Sequence, residues 1–178
     1  MTGPCFVDAN VIVYARDSRD ATKQQRAAAW LEYLWREQLG RTSIQVLSES
    51  YVTLKRLGAA ATEELWDRVA RYFAWAPHPV DEALLRRARE IEQRWRLSWW
   101  DSMVVAAAQL QDCALLLTED LQDGAVFGGV TVCSPFTLDV GEPAAAYAAH
   151  PAAASRHRPR GRPRKKTATQ RRNPYPAS

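Results

Sequence analysis

The sequence is poor in the residues that build the commonest catalytic and zinc sites. It has three histidines, two of them in a proline-rich segment, and no His-Glu-x-x-His motif. Its three cysteines, Cys5, Cys113 and Cys133, are scattered and include no Cys-x-x-Cys pair. A Gly-x-Ser-x-Gly motif and a Walker phosphate loop are also missing. These absences argue against a disulfide framework, a zinc knuckle, a metalloprotease and a His-centred acyl-transfer enzyme.

Long apolar runs are missing as well. Apolar runs such as residues 11–15 and 103–108 are far shorter than the roughly 20 residues that cross a bilayer. Residues 1–8 contain no Lys or Arg and reach an acid at Asp8, which is atypical of a signal peptide. We therefore expect no membrane association and a cytoplasmic location.

Acidic residues are absent from the last part of the chain. Residues 1–142 carry 15 basic and 20 acidic side chains, whereas residues 143–178 carry nine basic and none acidic. This last segment is rich in Ala, Pro and Arg and has almost no large aliphatic side chain to bury, so it is predicted to be disordered. The remainder has enough apolar residues for one core. We predict a folded domain over residues 1–140 and a basic, disordered tail over residues 141–178.

Short apolar runs alternate with helical patterns in the predicted domain. Residues 5–7, 114–117 and 130–133 have the length and composition of buried strands. Helical spacing covers most of the sequence between the first two runs, with Gly40 and Gly58 as stops and Thr62, Asp81 and Ser98 as N-caps. Tyr72, Phe73 and Leu85 are placed on core-facing positions of these helices. Strands separated by whole helices imply crossover connections, so we predict a three-layer α/β fold with a mainly parallel sheet.

Four carboxylates fall where such a fold places ligands. Asp8 directly follows the first strand and Asp120 follows the strand that ends at Leu117, so both are expected at the carboxyl edge of the sheet. Asp101 lies in the first turn of a helix. Glu49 lies beside an apolar helix stripe, where a carboxylate is costly unless it is paired or binds a metal. An oxygen-only set of this kind suits Mg²⁺ or Mn²⁺.

Several of these acids also have purely structural interpretations. Asp8 has the position of an N-cap for the helix that begins at Ala9. Asp101 stands three residues after Ser98, which is the spacing of a capping box. Asp120 and Asp123 flank a turn at Gly124, where Asp is common for backbone reasons.

Four segments in a fixed order resemble the PIN-domain ribonucleases, in particular the VapC-type toxins of bacterial toxin–antitoxin pairs. The resemblance extends from about residue 5 to residue 136 and therefore covers the whole predicted domain. The segments are Phe-Val-Asp-Ala-Asn-Val at 6–11, Gln-Val-Leu-Ser-Glu at 45–49, Ser-Trp-Trp-Asp-Ser-Met-Val-Val-Ala-Ala-Ala at 98–108, and Leu-Leu-Thr-Glu-Asp-Leu-Gln-Asp-Gly at 116–124.

The resemblance implies a PIN-like fold and a role for each matching residue. The acids expected to bind Mg²⁺ or Mn²⁺ and to carry catalysis are Asp8, Glu49, Asp101 and Asp120, with Asp123 as a candidate fifth acid. Asn10 and Thr118 are expected to be polar helpers. The implied reaction is the hydrolysis of RNA phosphodiesters. The implied partners are an RNA substrate and a cognate VapB-like antitoxin, and we expect a homodimer.

The tail contains Pro-Arg-Gly-Arg-Pro-Arg-Lys-Lys at residues 159–166, which resembles the AT-hook core. That core lays arginine along the narrow minor groove of A·T-rich DNA, whose negative potential attracts cations. The residues that would contact DNA are Arg160, Arg162, Arg164, Lys165 and Lys166. Loose binding of any polyanion, or no function at all, are the other interpretations of the tail.

Two other functional classes fit parts of the sequence. A phosphatase of the haloacid dehalogenase type also has an acid after its first strand, but it needs a second Asp two positions later, where this chain has Asn10. In a noncatalytic nucleic-acid-binding protein, the basic tail would bind and the acidic domain would serve as a scaffold.

Overall fold

Five short strands form one mainly parallel sheet in a computed structural model, which describes residues 3–58, 61–137 and 139–140. The strands are β1 (Cys5–Val7), β2 (Gly40–Arg41), β3 (Leu115–Leu117), β4 (Val126–Phe127) and β5 (Val130–Cys133). Their order is β2-β1-β3-β5-β4, and only β4 runs antiparallel to its neighbour. The parallel α/β architecture is confirmed, and β2 and β4 are additions to the three strands expected.

Helices fill the crossovers between these strands. They are α1 (Ala9–Tyr14), α2 (Ala21–Arg36), α3 (Ile44–Leu57), α4 (Thr62–Ala70), α5 (Glu82–Trp95) and α6 (Trp99–Leu110), with a 3₁₀ turn at Arg71–Trp75. Side-chain caps confirm the predicted starts of α5 and α6, because Asp81 and Ser98 each accept a backbone N–H. Gly58 ends α3 with φ of 64°, a conformation that glycine adopts without strain. None of the described helices combines the length and hydrophobicity that crossing a membrane requires.

The core lies between the sheet and its helices. All residues of β1 and β3 are buried, and Trp30, Leu34, Leu84 and Ile91 pack on them from α2 and α5. The three cysteines are free and buried, as the sequence predicts for small core residues. Burial raises the pKa of the Cys113 and Cys133 thiols to about 12, so they are inert at neutral pH.

Some local predictions are wrong. Thr62 is the first residue of α4, and Ala61 precedes it without a side-chain cap. Gly40 lies in β2 and does not stop α2, which already ends at Arg36. Phe73 is 47% exposed because the chain tightens into a 3₁₀ turn there, where Tyr72 and Trp75 face inward instead. Leu85 is also exposed, because α5 buries a narrow stripe of Leu84, Ala88 and Ile91.

Gly40 is required by a close contact between β2 and the 3₁₀ turn. A Cβ atom at this position would lie 2.4 Å from the ring of Trp75. That ring is itself held between Trp35 and Tyr72, with ring centroids 4.8 and 5.0 Å away. We expect Gly40→Ala to lower the free energy of unfolding by about 1–3 kcal/mol through overpacking, measured by urea denaturation.

Gly129→Ala is the matched control for this substitution. A Cβ atom at Gly129 meets no atom within 4 Å, so the general entropic effect of Gly→Ala acts there without a clash. Equal stability of the two variants would show that the Trp75 ring moves aside at no cost.

Candidate active site

Asp8 lies at the carboxyl end of β1 and is buried, with 2% of its surface exposed. Its Oδ1 atom accepts a hydrogen bond from the Ala9 backbone N–H at 2.7 Å, so it caps α1 as predicted. Its Oδ2 atom accepts from the Thr118 hydroxyl at 2.8 Å and from the Asn10 amide at 3.4 Å. One oxygen therefore has a structural role, and the other belongs to a polar network at the edge of the sheet.

Thr118 is the centre of this network. It directly follows β3, and the parallel register that pairs Val7 with Leu117 brings it beside Asp8. Its hydroxyl oxygen also accepts from the Asn10 amide at 2.9 Å and from the Asp120 backbone N–H at 3.1 Å. Thr118 thus orients Asp8 and Asn10 and shapes the turn that carries Asp120. The expectation that Asp8 and Asp120 share one edge of the sheet is confirmed.

Asp101 is held in the first turn of α6 and is 3% exposed. The Ser98 hydroxyl donates to its Oδ2 atom at 2.6 Å and accepts from its backbone N–H at 3.1 Å. The predicted N-cap is therefore present, and the Asp101 carboxylate accepts from the Ser98 hydroxyl in place of the backbone N–H that a capping box uses. Because α6 leads into β3, its first turn lies toward the carboxyl edge of the sheet, where Asp8 ends β1.

Glu49 is half-buried in the second turn of α3. Its Oε1 atom accepts a hydrogen bond from the Gln45 side-chain amide at 2.9 Å. The helix begins just after β2, which runs parallel to β1, so its first turns also belong to the carboxyl edge. The topology thus brings all four acids predicted from the sequence to one edge.

Asp123 also lies at the carboxyl edge, because its partner Ser134 directly follows β5, which runs parallel to β3. Its two oxygens accept from the Ser134 backbone N–H at 2.7 Å and from the Thr137 hydroxyl at 2.9 Å. These contacts hold the chain where it leaves β5, which neither the turn interpretation nor the metal interpretation anticipated; the role of Asp123 as a fifth acid stays a prediction.

The donor set at the edge consists of oxygen atoms, which is the chemistry that Mg²⁺ and Mn²⁺ prefer. Two buried amide oxygens, Oδ1 of Asn10 and Oε1 of Gln45, have no hydrogen-bond partner and would gain from a ligand. Within the described ranges, however, no three acidic, histidine or cysteine side chains are grouped closely enough to hold an ion. The residues fit a hard cation in chemistry, and the acids share an edge without forming a closed ligand shell.

The structure contains a second polar cluster, beside Asp120, that the sequence did not predict. The Tyr14 hydroxyl donates to Glu119 Oε2 at 2.6 Å, and the Lys23 ammonium bonds to Oε1 of the same carboxylate. Burial, and then this hydrogen bond, hold the pKa of the Tyr14 phenol well above its ordinary value, so it stays a donor. Nothing local marks this cluster, because Glu119 is 105 residues from Tyr14 along the chain.

The predicted DNA-contacting residues, Arg160, Arg162, Arg164, Lys165 and Lys166, lie outside the described residues.

A mainly parallel α/β domain with acids gathered at the carboxyl edge of its sheet defines the structural class of this protein. The PIN domain family model matches residues 5–122, and the chain belongs to this family. Nucleases with this domain generally use divalent metals. The PIN resemblance and the PIN-like fold expected from the four segments are therefore confirmed.

Two solved structures are similar to the chain. One is a toxin–antitoxin complex from Klebsiella pneumoniae, with 20% identity, a TM-score of 0.50, and coverage of 75% of this chain and 99% of that one. The other is VapC20 of Mycobacterium tuberculosis, a toxin that cleaves the sarcin-ricin loop, with 19% identity, a TM-score of 0.49, and coverage of 63% and 86%. No curated protein sequence matches the chain significantly. At 20% identity, the similarity to the Klebsiella pneumoniae complex supports the fold of this chain and nothing further.

The Thr118 hydroxyl is expected to hold the site together. Thr118→Val keeps the shape of the side chain but removes one donor and two acceptor contacts, which leaves Asp8, Asn10 and the Asp120 N–H short of a partner. We expect a loss of about 1–3 kcal/mol in the free energy of unfolding, measured by chemical denaturation. Thr118→Ser keeps the hydroxyl and should lose less. A valine variant as stable as the serine variant would contradict this role.

Proposed function

We propose that this PIN-domain protein is a divalent-metal-dependent endoribonuclease and the toxin of a toxin–antitoxin pair. The observation that carries the proposal is the buried, oriented carboxylate of Asp8 in its network with Thr118 and Asn10, at the sheet edge where Asp120 also lies. Burying a carboxylate is costly, and the hydrogen bonds from Ala9, Asn10 and Thr118 offset part of that cost. Its place at the carboxyl end of a parallel strand is where α/β folds bind ligands.

Four acids are assigned to hold the metal: Asp8, Glu49, Asp101 and Asp120. Thr118, Gln45 and Ser98 each hydrogen-bond one of them and fix the direction of its oxygens. Acids brought to one edge repel each other until a cation arrives, so they favour binding of a small divalent ion. We expect Mg²⁺ or Mn²⁺ in this role.

The bound ion would supply a water of lowered pKa and neutralise charge on the scissile phosphate. The protein's part is to position these carboxylates rigidly. Hydrolysis by a metal-bound water requires no covalent intermediate, so the proposal involves direct hydrolysis. Before metal binds, an acidic edge repels RNA, and substrate binding should therefore depend on metal.

The proposal includes a protein partner, a VapB-like antitoxin that binds the enzyme and restrains it. An exposed aromatic surface supports such a partner. Trp66 and Phe73 are both exposed and pack edge-to-face at 6.2 Å, and Tyr51 contacts Trp66 on its other side. Exposed aromatic patches of this kind mark protein-binding surfaces. The homodimer and the cytoplasmic location remain predictions.

The purified protein should cleave single-stranded or loop-containing RNA with Mg²⁺ or Mn²⁺ and stop when EDTA is added. Asp8→Asn and Asp101→Asn should each slow cleavage on the order of 100-fold or more, because each removes a charged metal ligand. The rate on a labelled RNA is the measurement, with thermal unfolding as the check on the fold.

Three outcomes would count against this assignment. Unchanged cleavage in chelator would exclude the metal mechanism. If Asp101→Asn unfolds while the surviving fraction keeps normal activity, Asp101 serves only as the capping partner of Ser98. Nucleic-acid binding without any cleavage would favour the noncatalytic alternative, in which the basic tail does the binding.

Expression of the chain in bacteria should slow growth, and Glu49→Gln should relieve the effect. This substitution keeps the size of the side chain and removes its charge, so it tests metal binding more than packing. Glu82→Gln is the matched control, since Glu82 is an exposed residue of α5 paired with Arg86. Growth curves after induction give the measurement. Equal toxicity of the Glu49→Gln and parent proteins would show that another property of the chain causes the harm.

A further inference from the structure

The ion pair between Lys23 and Glu119 stands directly beside the proposed catalytic edge. Glu119 lies between Thr118, which hydrogen-bonds Asp8, and Asp120, whose backbone N–H is bound by the Thr118 hydroxyl. Lys23 reaches Glu119 from α2, so it brings a positive charge to the residue next to Asp120, a proposed metal ligand.

Two aromatic rings hold the Lys23 ammonium in this position independently of Glu119. Its nitrogen lies 4.7 Å from the ring centroid of Tyr14 and 4.9 Å from that of Phe136. The two rings pack edge-to-face on each other at 5.4 Å. Because cation–π attraction favours a charge over each ring face, the ammonium stays near the edge even when its carboxylate partner changes.

Glu119 can release Lys23 without being left unsatisfied. One of its oxygens accepts from the Tyr14 hydroxyl, and only the other binds Lys23. The side chains of Lys23 and Glu119 are 31% and 34% exposed, and ion pairs with this access to water contribute little stability. An incoming anion can therefore replace Glu119 as the partner of Lys23 at small cost.

The neighbouring cations of this region are arranged differently. Arg26, one turn along α2, donates to Asp139 and to the Pro135 carbonyl, so it secures the chain after β5. Arg19 forms a bidentate pair with Asp17 in the loop between α1 and α2. These contacts of Arg26 and Arg19 lie outside the segment that carries Thr118 and Asp120, whereas the pair of Lys23 lies within it.

We propose that Lys23 binds a backbone phosphate of the RNA strand next to the cleaved bond, and that Glu119 occupies Lys23 until the strand arrives. The inference rests on the proposed ribonuclease function. The Lys23 ammonium supplies the positive charge that an acidic site needs to bind a polyanion. Glu119 then competes with the substrate for this ammonium. Removing the two partners should therefore have opposite effects on RNA affinity.

The test measures binding of a fluorescein-labelled single-stranded RNA by anisotropy, with Mg²⁺ present and with every variant carrying Asp101→Asn to slow cleavage. Lys23→Gln should weaken binding about 3- to 10-fold and reduce the slope of log affinity against log salt by about 0.7, the value for one contact with a single strand. Glu119→Gln should tighten binding, because the Lys23 charge is then uncompensated. Lys23→Arg should keep most of the affinity.

Lys55→Gln is the matched control, because Lys55 also lies over a tyrosine ring, 5.9 Å from the Tyr51 centroid, but in the last turn of α3. It should change affinity less than Lys23→Gln and leave the salt slope nearly unchanged. Weaker binding by both Lys23→Gln and Glu119→Gln would overturn the proposal and indicate a purely structural ion pair. Equal effects of Lys23→Gln and Lys55→Gln would also overturn it, since only general charge would then matter.

Two further measurements, thermal melting of the variants and RNA cleavage by the parent chain, distinguish failure of a variant from failure of the proposed function. If Lys23→Gln unfolds, as thermal melting would show, the opposite sign expected for Glu119→Gln still decides the question. Absence of metal-dependent RNA cleavage by the parent chain would reject the proposed function. The binding assay is independent of that cleavage assay, because anisotropy measures RNA binding without cleavage.

Discussion

The buried carboxylate of Asp8 needs hydrogen-bond donors, and it obtains them from parts of the chain that only the complete fold brings together. The Ala9 N–H comes with α1, but the Thr118 hydroxyl lies 110 residues away and arrives only when β3 pairs beside β1. Removal of that pairing would take the Thr118 hydroxyl away from a buried carboxylate, and a buried charge with fewer hydrogen bonds is costly. Stability of the sheet and orientation of the site are therefore one constraint.

The other acids of the edge follow a similar design. Two of them are bound by a polar side chain close by in the sequence, Asp101 by its N-cap Ser98 and Glu49 by Gln45 of the same helix. Such neutral donors orient a carboxylate without neutralising its charge by an ion pair, which suits a group that is to bind a cation. Lys23 and Tyr14 form the boundary of this edge on the side of α1 and α2, where they meet Glu119.

Local sequence signals failed where a residue's environment depended on a small change in backbone geometry. Phe73 fits a helical stripe, but the switch to a 3₁₀ turn rotates it outward and puts Trp75 in its place. Thr62 has a side chain suited to an N-cap, but the N-cap position of α4 is Ala61, one residue earlier. Gly40 fits the pattern of a helix stop, but in the structure its missing side chain leaves room for the Trp75 ring, which comes from a distant segment.

Periodicity, capping residues and the order of the acids were enough to predict the α/β class, most helix positions and the edge that carries Asp8 and Asp120. These features are local, or they follow from the rule that parallel strands end at a common edge. Only the tertiary structure decided that Thr118 joins Asp8, Asn10 and Asp120, that Asp123 holds the end of β5, and that Lys23 meets Glu119. Such contacts join residues far apart in sequence, and their partners are chosen by strand register and helix packing, which no local pattern encodes.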